Sequence, residues 1–221
     1  MSSNYLAIHG YRLSLIENQI DSLGLTSNAK ILDIGCYPPY LLKSLSKRFQ
    51  LWGISSGHEP VSFRNVSTIN IDNETFPYSD NFFDLVIFSE VLEHMYRGVD
   101  HIFSEINRIL KPGGRLIITT PNAVRSHNLL KIIVGVNPFD GLNNDSIYHR
   151  HNREYTQSEL LALSRSSDFS PVLSQYIIAY PPFRNKVIQE PLWLQLIKWL
   201  NYFFTLLFKS RRDTLLLISQ K

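Results

Sequence analysis

The sequence predicts an α/β domain built on a Rossmann-like, mostly parallel sheet with helices on both faces. Short apolar runs alternate along the chain with segments in which apolar residues recur at helical spacing. This alternation favours βαβ crossovers, which place helices on both faces of a parallel sheet. With 221 residues, 44% hydrophobic and 19% charged, the chain can bury one ordinary core. We predict a single domain over residues 1–221, with insertions at about 124–148 and 181–213.

The helices are predicted from apolar periodicity and from the residues that begin or end them. Over residues 10–23 the apolar positions recur at helical spacing, and Gly24 supplies a stop. Helices are also expected over 41–49 and 99–110, the second ending at the Lys-Pro-Gly-Gly turn that follows it. Thr156 and Glu159 have the spacing of a capping box that opens a helix to about residue 166.

The strands are predicted from short apolar runs bounded by turn residues. They lie at residues 30–35, 51–54, 67–71, 83–88, 115–120, 171–179 and 214–220. Parallel sheets bind ligands at the carboxyl ends of their strands, near the topological switch point. We therefore expect the functional site in the loops after residues 34, 54, 71 and 88.

Charge and cysteine content bear on the partners and the compartment. The net charge of +3, from 22 basic and 19 acidic residues, argues against nucleic acid, because phosphate binding needs clustered Lys and Arg. A single cysteine suits a reducing compartment. The N-terminus has no apolar signal-peptide core, and polar residues interrupt the longest apolar stretch, 192–208. We expect a cytoplasmic protein, with peripheral contact at a membrane as an open alternative.

An ordered set of motifs resembles a known family. The run KILDIGC, from Lys30 to Cys36, resembles the first motif of class I S-adenosylmethionine-dependent methyltransferases. Further matches follow in the family's order at residues 72–77, 80–86, 89–94, 110–114, 121–122 and 151–156. Together they span about residues 28–170 and are similar to the type 11, ubiquinone-pathway-like methyltransferase domains.

This resemblance implies a seven-stranded sheet whose last strand is antiparallel, with S-adenosylmethionine as the cofactor. In the family, the loop after the first strand contacts the methionine end of the cofactor. The segment after the second strand holds the ribose, and a pair after the third meets the adenine. The cofactor-binding residues implied in this chain are Asp33, Gly35, Cys36, Tyr37, Ser55, Ser56, Asp72, Asn73, Ser89 and Glu90.

The first loop departs from the family pattern. Of three alternating glycines only Gly35 is present, with Tyr37 and Pro39 at the other two positions. Glycine lets backbone approach a ligand closely, whereas proline removes an N–H donor. The usual ribose-binding acid is replaced by Ser55, with His58 or Glu59 as alternatives. Two interpretations stay open: a rebuilt cofactor pocket, or a non-catalytic binding or scaffold domain with a degenerate loop.

Acidic and histidine side chains after the fourth strand could carry the chemistry. If residues 89–94 begin a helix, Glu90, Glu93 and His94 share one face and could bind a divalent cation. The pattern resembles that of metal-dependent ubiquinone-pathway O-methyltransferases and small-RNA 2′-O-methyltransferases, where a distal histidine, here His149 or His151, would complete the site. In the alternative, Glu93 and His94 pair locally, Glu90 lines the pocket, and His94 or His151 accepts a proton from a hydroxyl nucleophile.

Residues 149–155 concentrate bases, charge and an aromatic ring before the capped helix. In a functional interpretation, His151 and Arg153 face the acceptor. In a structural one, Arg153 pairs with Glu154 or another carboxylate, and Tyr155 packs as a hydrophobic staple. Cys36 is interpreted as a small residue of the pocket wall.

Residues 191–209 predict a helix with a wide apolar stripe. The stripe consists of Trp193, Leu196, Ile197, Leu200, Phe203, Phe204 and Leu207. The helix could close over the acceptor site as a lid, pair with a second subunit in a homodimer, or lie in a membrane interface.

The resemblance to the methyltransferase family implies methyl transfer to oxygen, less readily to nitrogen or carbon, of a small-molecule, saccharide or lipid-linked acceptor. A non-catalytic binding or scaffold domain is the second alternative, and an RNA methyltransferase is the third.

Overall fold

A computed structural model describes residues 2–57, 63–95, 98–139, 150–183 and 191–221. The strands are β1 (Lys30–Ile34), β2 (Gln50–Ser55), β3 (Val66–Thr68), β4 (Phe83–Ser89), β5 (Leu110–Pro121), β6 (Ser170–Ile177) and β7 (Thr214–Gln220). The helices are α1 (Ser2–Ser22), α2 (Tyr40–Leu45), α3 (Val99–Ile109), α4 (Ser126–Ile133), α5 (Gln157–Ser166) and α6 (Leu192–Leu207).

The seven strands form one sheet in the order β3-β2-β1-β4-β5-β7-β6. The pairs from β3 to β5 are parallel, and β7 runs antiparallel to both β5 and β6. The predicted seven-stranded sheet with an antiparallel last strand is therefore confirmed. Because the strand order reverses between β1 and β4, the ligand crevice of such a fold lies at their carboxyl ends.

Helices cover both faces of the sheet, as predicted. On one face, Ile102, Phe103 and Ile106 of α3 pack against the buried side chains of β1, β4 and β5. On the other, Ile16 and Ile20 of α1 pack with α2. Each of these fully buried side chains contributes roughly 1.5–3 kcal/mol to folding. The central strands are buried on both faces, which explains why they read as continuous apolar runs.

Several element boundaries differ from the sequence prediction. Helix α1 begins at Ser2, eight residues before the predicted start, and the ring of Tyr5 stacks on Tyr40 with centroids 5.4 Å apart. That contact is between segments far apart in sequence, so periodicity could not reveal it. Helix α2 is shorter than predicted, and β3 ends at Thr68 rather than at 71. The predicted capping box at Thr156 is confirmed.

Helix α6 forms where the apolar stripe predicted it, but the stripe does not pack against the rest of the domain. Thr205 is the buried residue of this helix, and Trp193 and Leu200 are 63% and 60% exposed. The lid interpretation, in which the stripe packs on its own domain, is therefore not what the described residues show. No described helix has the length and the apolar content needed to cross a bilayer.

Candidate functional site

The first loop turns tightly at the carboxyl end of β1. Gly35 has a φ of +78°, and the N–H groups of Gly35 and Cys36 both donate to the carbonyl of Ile54, at 2.9 and 3.1 Å. A Cβ on Gly35 would lie 2.3 Å from a methyl of Val91, so glycine is required here. Pro39, the second of two consecutive prolines in this loop, directly precedes the first residue of α2, where its missing N–H is harmless.

Asp33 and Cys36 are buried beneath this loop. Burial raises the pKa of Asp33 to about 7, although the nearby Arg12 guanidinium lowers it. The pKa of the Cys36 thiol rises to about 12, mainly through burial and also through the Asp33 charge. Cys36 therefore remains a protonated thiol at neutral pH, as expected for a residue of the pocket wall and not for a nucleophile.

Arg12 is the centre of a polar cluster that sequence analysis did not identify. Its guanidinium lies 3.0 Å from the Glu90 carboxylate and donates to the hydroxyls of Tyr180 and Tyr5, at 3.1 and 3.3 Å. Its Nε is buried and has no hydrogen-bond partner among the described residues. One signal was available: position 12 lies four and eight residues before the buried Ile16 and Ile20, on the core-facing side of α1.

Residues 89–94 do not form the helix on which the shared face of Glu90, Glu93 and His94 was conditional. Strand β4 continues through Ser89, Glu90 turns the chain with a φ of +54°, and only a short 3-10 helix follows at Leu92–His94. The Glu90 carboxylate accepts a hydrogen bond from Thr119 and pairs with Arg12. The helical face that would unite Glu90 with Glu93 and His94 is therefore absent, and metal binding by these residues stays a prediction.

The predicted ribose and adenine contacts lie after β2 and β3. Ser55 is buried and its hydroxyl accepts a hydrogen bond from the Gly57 N–H at 3.3 Å, while Ser56 is exposed. Asp72 follows β3, with Asn73 beside it in the same turn. Burial raises the pKa of Asp72, and its buried Oδ1 has no hydrogen-bond partner within the described part of the chain. The alternatives His58 and Glu59 lie outside the described residues.

Glu93, His94 and His151 converge near the carboxyl end of β4. One ligand atom from each lies within 4.8 Å of the others, which is compatible with a shared metal ion. The fully buried Glu93 carboxylate accepts a hydrogen bond from Thr120 through Oε2, and burial raises its pKa well above the usual range. His94 donates from Nδ1 to the carbonyl of Arg150 at 2.9 Å, so its neutral ring carries the lone pair on Nε2.

His151 is oriented by a buried carboxylate. Its Nδ1 lies 3.1 Å from Oε1 of Glu154, and that oxygen also accepts a hydrogen bond from Arg125 at 2.8 Å. The other carboxylate oxygen, Oε2, accepts one from Arg125 at 2.6 Å and one from Asn128. Burial opposes the charge of Glu154, but hydrogen bonds from His151 and Arg125 outweigh it and hold the pKa at about 2. The carboxylate therefore stays ionised and fixes the imidazole with Nδ1–H towards it.

The other predicted residues of this segment divide between the two interpretations. Arg153 pairs with Glu159 at the surface, 3.0 Å apart, and Tyr155 is buried in the core, which matches the structural interpretation. His151 lies in the polar cluster, 5.1 Å from His94 between ring centroids, and its predicted place facing the acceptor stays a prediction. His149, the alternative distal histidine, lies outside the described residues.

Comparison with known proteins identifies the family. A family model described as a methyltransferase domain matches residues 9–174, about three quarters of the chain. The chain belongs to this methyltransferase family. It is a class I S-adenosylmethionine-dependent methyltransferase domain, and S-adenosylmethionine is its cofactor. The residues present fit that molecule, because the buried Oδ1 of Asp72 is an acceptor that an adenine amino group could satisfy.

Solved structures similar to this methyltransferase domain share its fold. A SAM-dependent methyltransferase from Archaeoglobus fulgidus has a TM-score of 0.63 and 15% identity, covering 96% of this chain and 97% of that one. An N1-methyltransferase of 1,6-didemethyltoxoflavin from Burkholderia thailandensis, with bound S-adenosylhomocysteine, has a TM-score of 0.60 and 16% identity, covering 99% and 80%. The uncharacterized protein YafE of Escherichia coli is 40% identical over 65 residues, or 29% of this chain and 31% of its own length.

Proposed function

We propose that this domain methylates a hydroxyl oxygen of a small-molecule, saccharide or lipid-linked acceptor, with His151 as the general base. The observation that carries the proposal is the pairing of His151 with the buried Glu154 carboxylate, at the edge of the crevice. A hydroxyl nucleophile needs a base to take its proton. Pairing a histidine with a carboxylate is the usual way to orient such a base.

Each residue of the site has a separate role in the proposed reaction. Bound S-adenosylmethionine supplies a methyl carbon that is already electrophilic, because it is attached to a sulfonium. The loop from Asp33 to Tyr37 and the acid Asp72 would hold and orient that molecule, with the ion pair of Arg12 and Glu90 nearby. His151 accepts at Nε2 the proton that the acceptor oxygen loses, while Glu154 stabilises the resulting imidazolium. Orientation of the reacting atoms supplies most of the remaining rate.

A divalent cation at Glu93, His94 and His151 is the second candidate for the same site. The observation in its favour is Glu93 Oε1, a fully buried carboxylate oxygen with no hydrogen-bond partner in the described ranges. An ion there would satisfy this oxygen and accept the two imidazoles, and it would polarise the acceptor hydroxyl directly. His151 would then act as a ligand instead of as the base.

Turnover of labelled cofactor tests both candidates. The protein is incubated with methyl-labelled S-adenosylmethionine and a panel of phenols, saccharides and polyprenyl-linked sugars, and S-adenosylhomocysteine is measured by mass spectrometry. H151Q is expected to lower turnover by about 10²–10⁴-fold with unchanged cofactor affinity. H127Q, which changes a histidine on α4 outside the cluster, is the matched control.

The outcomes separate the candidates. Turnover that persists in EDTA but is lost in H151Q supports the general base. Loss of turnover in EDTA, restored by Mg²⁺, Mn²⁺ or Zn²⁺, supports the metal site. Full turnover of H151Q without added metal contradicts both roles for His151. Methylation of amines alone would contradict oxygen as the acceptor atom.

A further inference from the structure

Helix α6 is amphipathic in the direction opposite to that of an ordinary surface helix. Its buried or half-buried side is built around Thr205, Asn201, Tyr202 and Lys198. The opposite side, exposed to solvent, is apolar except for Gln195, and Leu192 and Leu207 are more than three quarters exposed. Surface helices normally turn their polar side to water, so this helix presents its apolar side to something other than water.

Helix α4 and the segment after it extend the same kind of surface. Residues 130–139 expose Leu130, Ile132, Ile133, Val134, Val136 and Phe139. Helix α4 contacts α6, so the two sets of side chains belong to one region. We call this region, residues 130–139 and 192–208, the apolar face. Among the described residues, three other exposed large hydrophobic side chains lie elsewhere, Leu6, Tyr37 and Val172, whereas the exposed Phe183 packs beside Trp199 and Tyr202 of α6.

Charge around the apolar face is of one sign. Residues 123–139 and 191–212 contain six basic side chains and no acidic one, although the whole chain has nearly equal numbers of each; one of the six, Arg125, is paired with Glu154. Lys131 on α4 and Lys209 at the end of α6 lie beside the exposed apolar residues. Two tryptophans, Trp193 and Trp199, stand on the exposed side of α6. Apolar side chains, indole rings and flanking cations are the combination that inserts into the interface of an anionic bilayer.

We propose that the apolar face docks this domain on an anionic lipid surface, with α4 and α6 lying in the plane of the interface. A second copy of the chain is a poorer occupant, because it would bring the same basic residues against each other without acidic partners. Arg125 immediately precedes α4 and clamps Glu154, so docking would place the His151 end of the crevice close to the bilayer. The inference extends the proposed lipid-linked acceptor but does not depend on it, since docking needs no methyl transfer.

Vesicle flotation with the full chain tests the proposal. Vesicles of phosphatidylcholine alone are compared with an equimolar mixture of phosphatidylcholine and phosphatidylglycerol. The protein is expected to float with the anionic vesicles, and raising the salt is expected to weaken that binding. K131E with K209E is expected to lower the partition coefficient about tenfold or more, since each cation near the surface contributes about 1 kcal/mol. Fluorescence of a W52F variant, which keeps only Trp193 and Trp199, should shift to the blue on binding.

The control and the contrary outcomes use the same assay. Replacing Trp193, Leu200 and Phe204 by serine should abolish flotation while leaving the circular dichroism spectrum and S-adenosylmethionine affinity unchanged. V172S, at an exposed apolar residue outside the apolar face, is the matched control and should float like the parent protein. Equal flotation of the triple variant would overturn the proposal. So would a concentration-dependent dimer in sedimentation that is lost in the triple variant, with no flotation of the parent chain.

Discussion

Replacing Asp33 by asparagine should make the ligand-free domain more stable above neutral pH. Burial holds the pKa of Asp33 at about 7, compared with an ordinary value of 3.8. The folded state therefore binds more protons than the unfolded chain between these two values, and the free energy of unfolding falls as the pH rises through that window. Over about three pH units, at about 1.36 kcal/mol each, the parent protein loses about 4 kcal/mol of unfolding free energy. The D33N variant does not lose it, because asparagine carries no charge.

Urea denaturation of both proteins from pH 3.5 to pH 8 measures this directly. The difference in unfolding free energy should be constant at the acid end, where Asp33 is protonated, and should grow in favour of D33N to its full value above pH 7. Calorimetry on the same proteins should show weaker S-adenosylmethionine binding by D33N. Parallel stability curves across the pH range would refute the electrostatic argument, and an unchanged affinity would refute the assignment of Asp33 to the cofactor site.

Three further substitutions test local features of the fold and of the site by urea denaturation. G35A should destabilise the domain by about 2 kcal/mol more than G135A, because both positions have positive φ but only the first would place a Cβ against a neighbouring side chain. R125Q should cost about 3 kcal/mol and reduce turnover, since it leaves a buried carboxylate uncompensated; R153Q, at a surface ion pair, should cost less than about 1 kcal/mol. T156A removes a capping box and should cost about 1 kcal/mol. Equal destabilisation by G35A and G135A would contradict the contact at Gly35, and equal destabilisation by R125Q and R153Q would contradict the buried ion pair. No destabilisation by T156A would contradict the capping box.

The sheet could be predicted from sequence because its signals are local. Buried parallel strands are short apolar runs, and β1 and β4 show this pattern over nearly their whole length. The capping box at Thr156 depends on residues three positions apart, so it too was readable. The motif around Gly35 is contiguous and could be recognised from sequence, but the close approach of Val91 to that glycine could not.

The site was predicted less completely because its contacts join distant segments. Arg12 meets Tyr180 across 168 positions of sequence, and no local pattern links the two. The positive φ of Glu90 turns the chain out of a helix, whereas His151, which the sequence offered as a distal histidine, does lie beside Glu93 and His94. The direction of the stripe on α6 was equally hidden, since a helical pattern shows that one side is apolar but not which way that side faces.

Isothermal titration of the full chain with S-adenosylmethionine, and in parallel with S-adenosylhomocysteine, tests the central claim most directly. The first loop lacks two of the family's glycines, so binding by this particular crevice is the step on which the account depends. A rebuilt pocket around Asp33 and Asp72 predicts saturable binding at one site with micromolar affinity, weakened by D33N. No heat of binding for either compound up to millimolar concentration would contradict the account and would favour a domain that has kept the fold but lost the cofactor.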